Sequence, residues 1–260
     1  MNQSSKKFYA LITDCADSNA RARQELYTYA LFPEASLTFT EVYTVPALAG
    51  NIIDLISVAE HAGASGYVLG NRAPREHIQN KYPNGAPFVY AHYRDILLVV
   101  TYSAQLHGIL KHFLNIDAWY EPTPDMLADI LATYAVDPTT QFRSLYYAPC
   151  VMHYVATHAH ITGNVFESEE LAPHHPWLVW HKDNFGNLKT FATRADYEAA
   201  PLSINGARVP FVERLKDAPD NHLVVIEGSS GFEGKKFLEV VVQGGSAATR
   251  LGKDIGDILE

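Results

Sequence analysis

FYALITDCADSN, residues 8–19, reads as a buried strand that runs into a helix start. Phe8 to Thr13 is an apolar run of strand length, and Asp14 closes it with a carboxylate. Ser18 can cap the helix that follows, with Ala22, Leu26 and Ala30 spaced four apart along one face, and Pro33 stops it. The same unit recurs farther along. Residues 37–45 alternate as a second strand, and 51–62 carry a helical apolar stripe of Ile52, Ile53, Leu55, Ile56 and Ala59. Residues 66–70 and 96–101 are further strands, the latter followed by a helix over 104–113. Strands alternating with helices predict an α/β layer with a largely parallel sheet, and ligands usually bind at the strand ends of such layers.

The second part of the chain is patterned differently. A helical segment spans 146–159, and residues 167–176, ESEELAPHHP, have the composition of a linker. Beyond them lie short strand candidates at 177–180, 188–192, 223–227 and 237–242, separated by turn residues at 184–186, 205–206 and 228–231. This is all-β patterning, expected as a small β-barrel domain over 168–260 after an α/β domain over 1–167. No internal repeat interrupts either part.

Composition narrows the function. The chain has 260 residues, 47% hydrophobic and 19% charged, as ordinary globular proteins do. Twenty Lys and Arg against 29 Asp and Glu give a net charge of −9, which argues against a nucleic-acid partner. No apolar run approaches a membrane span, and the start MNQSSKKFYALITD lacks a signal peptide's apolar stretch. With Cys15 and Cys150 alone, neither a disulfide framework nor an all-cysteine metal site is expected. The expectation is a cytoplasmic protein without a membrane partner.

Several residues carry candidate chemistry. Asp14, at a strand end, can accept two hydrogen bonds from a ribose diol or simply cap the next helix. The segment 71–87 is locally basic through Arg72, Arg75, His77 and Lys81. It can clamp an anion or supply an acid or base, or be a solvated surface loop. His153, His158, His160, His174 and His175 cluster without a carboxylate or cysteine motif, so no metal is expected. D-N-F-G-N, residues 183–187, is a tight turn whose Asp, Phe and Asn offer a charge, a flat face and an amide. GSSGF at 228–232 and GGSAA at 244–248 read by themselves as a hairpin with two glycine turns. Neither is a Walker loop, and there is no G-x-S-x-G or H-E-x-x-H.

Asp14 after a strand, Asp183 before Phe185-Gly186-Asn187, then GSSGF and LEVVVQGGSAA occur in an order that resembles the S-adenosylmethionine (SAM) hydroxide adenosyltransferase family, which includes fluorinase and chlorinase. TQFRSLYYAP, residues 140–149, is similar to a degenerate form of that family's T-F-x-x-R-D-x-F-A-P segment. The resemblance covers most of the chain and is strongest toward its C-terminal end. It implies an α/β domain followed by a β-barrel, assembled as a homotrimer with sites between subunits. It also implies SAM as substrate rather than any added cofactor, with water or halide attacking its 5′-carbon to release methionine. Asp14 would hold the ribose diol and Asp183 the methionine ammonium. Asn187 and the backbone near Gly244 would read the adenine, with Phe185 against its ring. Ser229 would meet the methionine carboxylate, beside Ser230 where fluorinase has an arginine.

Departures from the family pattern fall on the chemistry. Residues 69–75, LGNRAPR, lack the Asp of V-D-P-G-V-G; Phe142 stands for the family's His and Leu145 for its Asp; TYSAQ, residues 101–105, replaces P-D-N-G. Arg75 and His77 are the first candidates to supply the missing catalytic groups. Three functions are therefore weighed. The leading one is hydrolysis of SAM to adenosine and methionine. The others are a non-catalytic SAM or nucleoside binder, and a related adenosyltransferase with a different nucleophile.

Overall fold

The computed structural model describes residues 7–72, 85–158, 162–167 and 171–260. Its first elements are β1 (Lys7–Thr13), α1 (Ser18–Leu31), β2 (Ala35–Glu41), α2 (Val45–His61), β3 (Ser65–Asn71), β4 (Phe88–Tyr93) and β5 (Ile96–Thr101). There follow α3 (Ala104–Leu114), β6 (Tyr120–Glu121), α4 (Pro124–Thr133), α5 (Arg143–Tyr146), α6 (Ala148–Thr157) and β7 (Asn164–Val165). The remainder comprises β8 (Val179–Lys182), β9 (Leu188–Thr193), α7 (Arg194–Ala199), β10 (Ser203–Ile204), β11 (Ala207–Arg208), β12 (Leu223–Phe232), β13 (Lys235–Val242) and α8 (Ala247–Leu251). The chain divides into two compact units, residues 1–43 with 58–172 and residues 44–57 with 173–260.

The first unit holds a seven-stranded sheet in the order β2-β1-β3-β5-β4-β6-β7. Strands β2, β1, β3 and β5 run parallel, as the alternating pattern predicts. Every residue of β5 is buried, as expected of a continuous apolar run in a parallel sheet covered on both faces. Strand β4, which the periodicity does not single out, returns antiparallel to β5 through a turn with Arg94 at φ 50°. Below the sheet, Tyr9, Phe32 and Tyr67 pack ring to ring at 4.6–6.2 Å within one aromatic and aliphatic core.

Helix α1 departs from the expectation in two ways. Its cap is Asp17, whose Oδ1 accepts from the backbone N–H of Asn19 and Ala20 at 3.1 and 3.0 Å, and Ser18 is the first helical residue. Its buried side carries Ala20, Gln24 and Thr28, while Ala22, Leu26 and Ala30 face outward and Leu26 is 71% exposed. On the buried side Gln24 Nε2 donates to the carbonyls of Cys15 (2.7 Å) and Ala20 (3.2 Å). Asp17→Ala is expected to cost about 1 kcal/mol, the usual loss for a side-chain N-cap, read as a lower midpoint in urea unfolding.

The second unit is antiparallel β, ordered β12-β13-β9-β8, with a two-stranded ribbon of β10 and β11 turning at Asn205-Gly206. Single bridges from Phe211 to Val225 and from Leu178 to Ile258 add to this sheet. The segment GSSG is not the turn that its glycines suggest. It lies inside β12, where the pairing with β13 shifts register between Glu227 and Gly231, and the hairpin turns instead at Glu233-Gly234 with φ 49° and 78°. A Cβ on Gly228 would lie 2.3 Å from Glu239 Oε1, and one on Gly231 would lie 2.2 Å from the Lys235 carbonyl. These glycines therefore serve close approach across a bulge. Residues 44–57 bring the first part of α2 into this unit, with Gly50 against the ring of Trp180.

Candidate functional site

Asp14 lies just beyond β1, where the chain leaves the parallel sheet. Its carboxylate is oriented by Asn71 at the end of β3, whose Nδ2 donates to Asp14 Oδ1 and to Thr13 Oγ1, each at 3.1 Å. Thr101, the last residue of β5, donates from Oγ1 to Asn71 Oδ1 at 3.0 Å. Thr13, Asn71 and Thr101 are all buried, so the ends of three adjacent strands share one satisfied polar network that holds the half-buried Asp14. Because Asp17 caps α1, Asp14 is not needed for that task. Cys15 lies beside it, its Sγ 3.6 Å from Asp14 Oδ1 and 4.0 Å from Ser144 Oγ. Burial and then the Asp14 charge push the Cys15 thiol up from its ordinary pKa, which disfavours the nucleophilic thiolate.

Of the residues standing for the family's catalytic groups, Leu145 is buried in α5 and Phe142 precedes that helix, stacked by the Arg23 guanidinium at 5.4 Å. Neither can activate water. Arg75 and His77 lie outside the described residues.

In the second unit the turn 183–187 joins β8 to β9. Asp183 Oδ1 accepts from the backbone N–H of Phe185 and of Asn187, both at 2.9 Å, and Oδ2 accepts from Asn187 Nδ2 at 2.9 Å. Gly186 takes φ 79°, and a Cβ there would meet Ser246 Oγ at 2.1 Å. With Ala248 N–H donating to the Gly186 carbonyl at 2.9 Å, the turn is seated on residues 246–248, beside Gly244 at φ 73°. Two motifs far apart in sequence thus form one surface. On it Phe185 is 78% exposed, an aromatic face without a core to fill, and Asn187 keeps its Oδ1 acceptor after donating to Asp183.

Asp183 both shapes the turn and displays its charge. Partial burial raises its pKa, but the bonds from Asn187 and Phe185 and the charge of Lys189 outweigh burial and leave it below the ordinary carboxylate value. A depressed carboxylate stabilises the folded state above its unfolded pKa of about 4, and that contribution is lost as pH falls through the folded value. Asp183→Asn is therefore expected to flatten the fall in melting temperature below about pH 4 while leaving the slope near neutrality unchanged. Superimposable melting curves against pH would refute that role.

Ser229 and Ser230 sit in the β12 bulge, and both hydroxyls accept from Lys189 Nζ at 3.2 Å. Lys189 is absent from the motif pattern and is not among the sequence candidates; it is found only because β9 and β12 both flank β13. Among the described residues no group of three or more His, Cys, Asp or Glu could hold a metal ion. Nor is any described helix long and apolar enough to cross a membrane.

Residues 177–260 match the model of the SAM hydroxide adenosyltransferase C-terminal domain. No curated protein matches the chain. Among solved structures, an uncharacterized conserved protein from Thermotoga maritima aligns with TM-score 0.67 at 15% identity, over 96% of this chain and 98% of that one. A conserved hypothetical protein from Thermus thermophilus aligns with TM-score 0.57 at 18% identity, over 96% and 97%. At these identities the likeness is one of fold, and it extends over both units. The likeness to the SAM hydroxide adenosyltransferase C-terminal domain thus falls on residues 177–260, which contain the seated turn and the serine bulge.

Proposed function

We propose that the protein binds SAM and hydrolyses it to adenosine and methionine. The observation that carries this reading is the seating of the 183–187 turn on residues 246–248, within the segment that matches the family's C-terminal domain. In the proposed complex Phe185 lies against the adenine, Asn187 and the backbone at Gly244 read its edge, and Asp183 meets the methionine ammonium. Ser229 and Ser230 face the methionine carboxylate, and Asp14 accepts from the ribose hydroxyls.

The reaction asks little of acid catalysis. A water oxygen forms a bond to C5′ as the C5′–S bond breaks, the bonding pair neutralises the sulfonium, and the water's proton passes to solvent. The leaving group departs as a neutral thioether, so orientation of water in line with sulfur supplies the main advantage. Arg75 and His77 are proposed to orient that water. The assembly is proposed as a cytoplasmic homotrimer with sites shared between subunits, a state that light scattering measures.

A second reading is a SAM or nucleoside binder without turnover. Phe142 and the buried Leu145 favour it, because both stand where the family carries polar catalytic groups. Incubating purified protein with SAM and separating the products distinguishes the two. Adenosine and methionine appearing in equal amounts, and more slowly with Arg75→Ala or His77→Ala, support hydrolysis. Calorimetric binding without turnover across pH and halide supports the binder, and an absence of binding overturns both.

A further inference from the structure

Lys189 follows Asn187 by two residues on β9, directly across from Glu239 of β13 and beside His181 of β8. Its ammonium is 3.2 Å from Ser229 Oγ, 3.2 Å from Ser230 Oγ and 3.4 Å from Glu239 Oε1. The lysine and glutamate side chains are only 15% and 11% exposed. Two of the ammonium hydrogens go to the serine oxygens, and the Glu239 carboxylate matches its charge as an ion pair. This fixes the serines. Each oxygen accepts from the lysine, so each hydroxyl hydrogen is left to donate, and neither donates to any described protein group. A cation on the oxygen also polarises the O–H bond and makes it a better donor.

The charge balance selects the ligand class. Gly228 lets the Glu239 carboxylate lie against the bulge, so Lys189 and Glu239 form a neutral pair beside the two hydroxyl donors. Lys236, a further lysine near the bulge, is exposed and donates from its ammonium to the Ser229 carbonyl at 3.2 Å. A phosphate would bring two negative charges to a site whose buried cation is already matched. An α-amino acid head brings its own ammonium, and Asp183, close enough to feel the Lys189 charge, is placed to receive it. We propose that Lys189, acting through Ser229 and Ser230, makes this surface selective for ligands that carry a zwitterionic α-amino acid head. The proposal rests on the SAM-binding reading and adds to it a positioning residue that no motif identifies.

The test is calorimetry on the full chain with adenosine, which lacks the head, and S-adenosylhomocysteine, a neutral thioether that carries it. The wild type is expected to bind S-adenosylhomocysteine more tightly. Lys189→Met is expected to lose about tenfold or more of that preference, the scale of one hydrogen bond to a charged group, with adenosine affinity held within about twofold. Lys189→Arg should recover part of the preference. Ser229→Ala/Ser230→Ala leaves the Lys189–Glu239 pair in place and should show the same loss, with no further loss when Lys189→Met is added. An unchanged preference in Lys189→Met, or equal losses for both ligands in a variant that melts normally, overturns the proposal. Should Lys189→Met fail to fold, the serine pair decides it by the same ratio. Wild-type binding of adenosine without any gain from the amino acid head sinks this inference alone; binding of neither ligand sinks the SAM reading itself.

Discussion

Asp14→Ala is expected to weaken adenosine binding about 100-fold or more. A ribose diol donates two hydrogen bonds to an ionised carboxylate, each worth about 1.5–3 kcal/mol, and every 1.4 kcal/mol is tenfold in affinity. The carboxylate is also held in advance: Asn71 fixes one oxygen at 3.1 Å and is itself fixed by Thr101, so little ordering cost remains at binding. The substitution should be mild for the fold, because Asn71 Nδ2 keeps Thr13 Oγ1 as an acceptor. Calorimetry with adenosine and 2′-deoxyadenosine supplies the specific readout. The wild type should prefer adenosine, and Asp14→Ala should bind the two alike. An Asp14→Ala protein that still discriminates between them would place the ribose elsewhere.

Gly50→Ala is expected to destabilise the protein by about 3 kcal/mol, the upper part of the range for forcing a methyl into a packed site. A Cβ at residue 50 would lie 2.3 Å from two carbons of the Trp180 ring. That ring cannot easily retreat: its Nε1 donates to the Thr190 carbonyl at 3.1 Å, and Phe191 and Phe237 lie at 6.2 and 6.4 Å from it. Chemical denaturation measures the loss. In a Trp180→Leu background the added methyl has room, so the Gly50→Ala penalty should shrink to well under half. Equal penalties in both backgrounds would show that the cost arises from the helix backbone and not from the ring.

Much of the architecture is written in short-range signals. The apolar runs of β1, β3 and β5, and the helical stripe of α2, predict the parallel sheet without reference to anything distant. The turn at 183–187 is equally local, since its hydrogen bonds join residues within five positions of one another. What misled was burial direction. In α1 the apolar residues Ala22, Leu26 and Ala30 suggest an inner face, yet Gln24 is the buried residue and its Nε2 donates to the Cys15 carbonyl, a bond that spacing cannot reveal. GSSG suggests a turn because glycine permits one, but the approach of Glu239 and of the Lys235 backbone gives those glycines a different use.

The candidate site divides in the same way. Asp14, Asp183, Phe185, Asn187, Ser229, Ser230 and Gly244 are candidates put forward by motifs alone. Lys189 is not: its partners lie 40, 41 and 50 positions away and meet it only through the order β12-β13-β9. The sequence by itself determined the α/β and all-β halves, the turn that presents Asp183 and Phe185, and the family likeness of residues 177–260, since backbone periodicity and positive-φ turns are set by neighbouring residues. The tertiary structure alone decided that Asn71 orients Asp14, that residues 44–57 join the C-terminal unit, and that Lys189 holds the two serines. Those contacts depend on strand order and register, which bring side chains together across distances that no local pattern encodes.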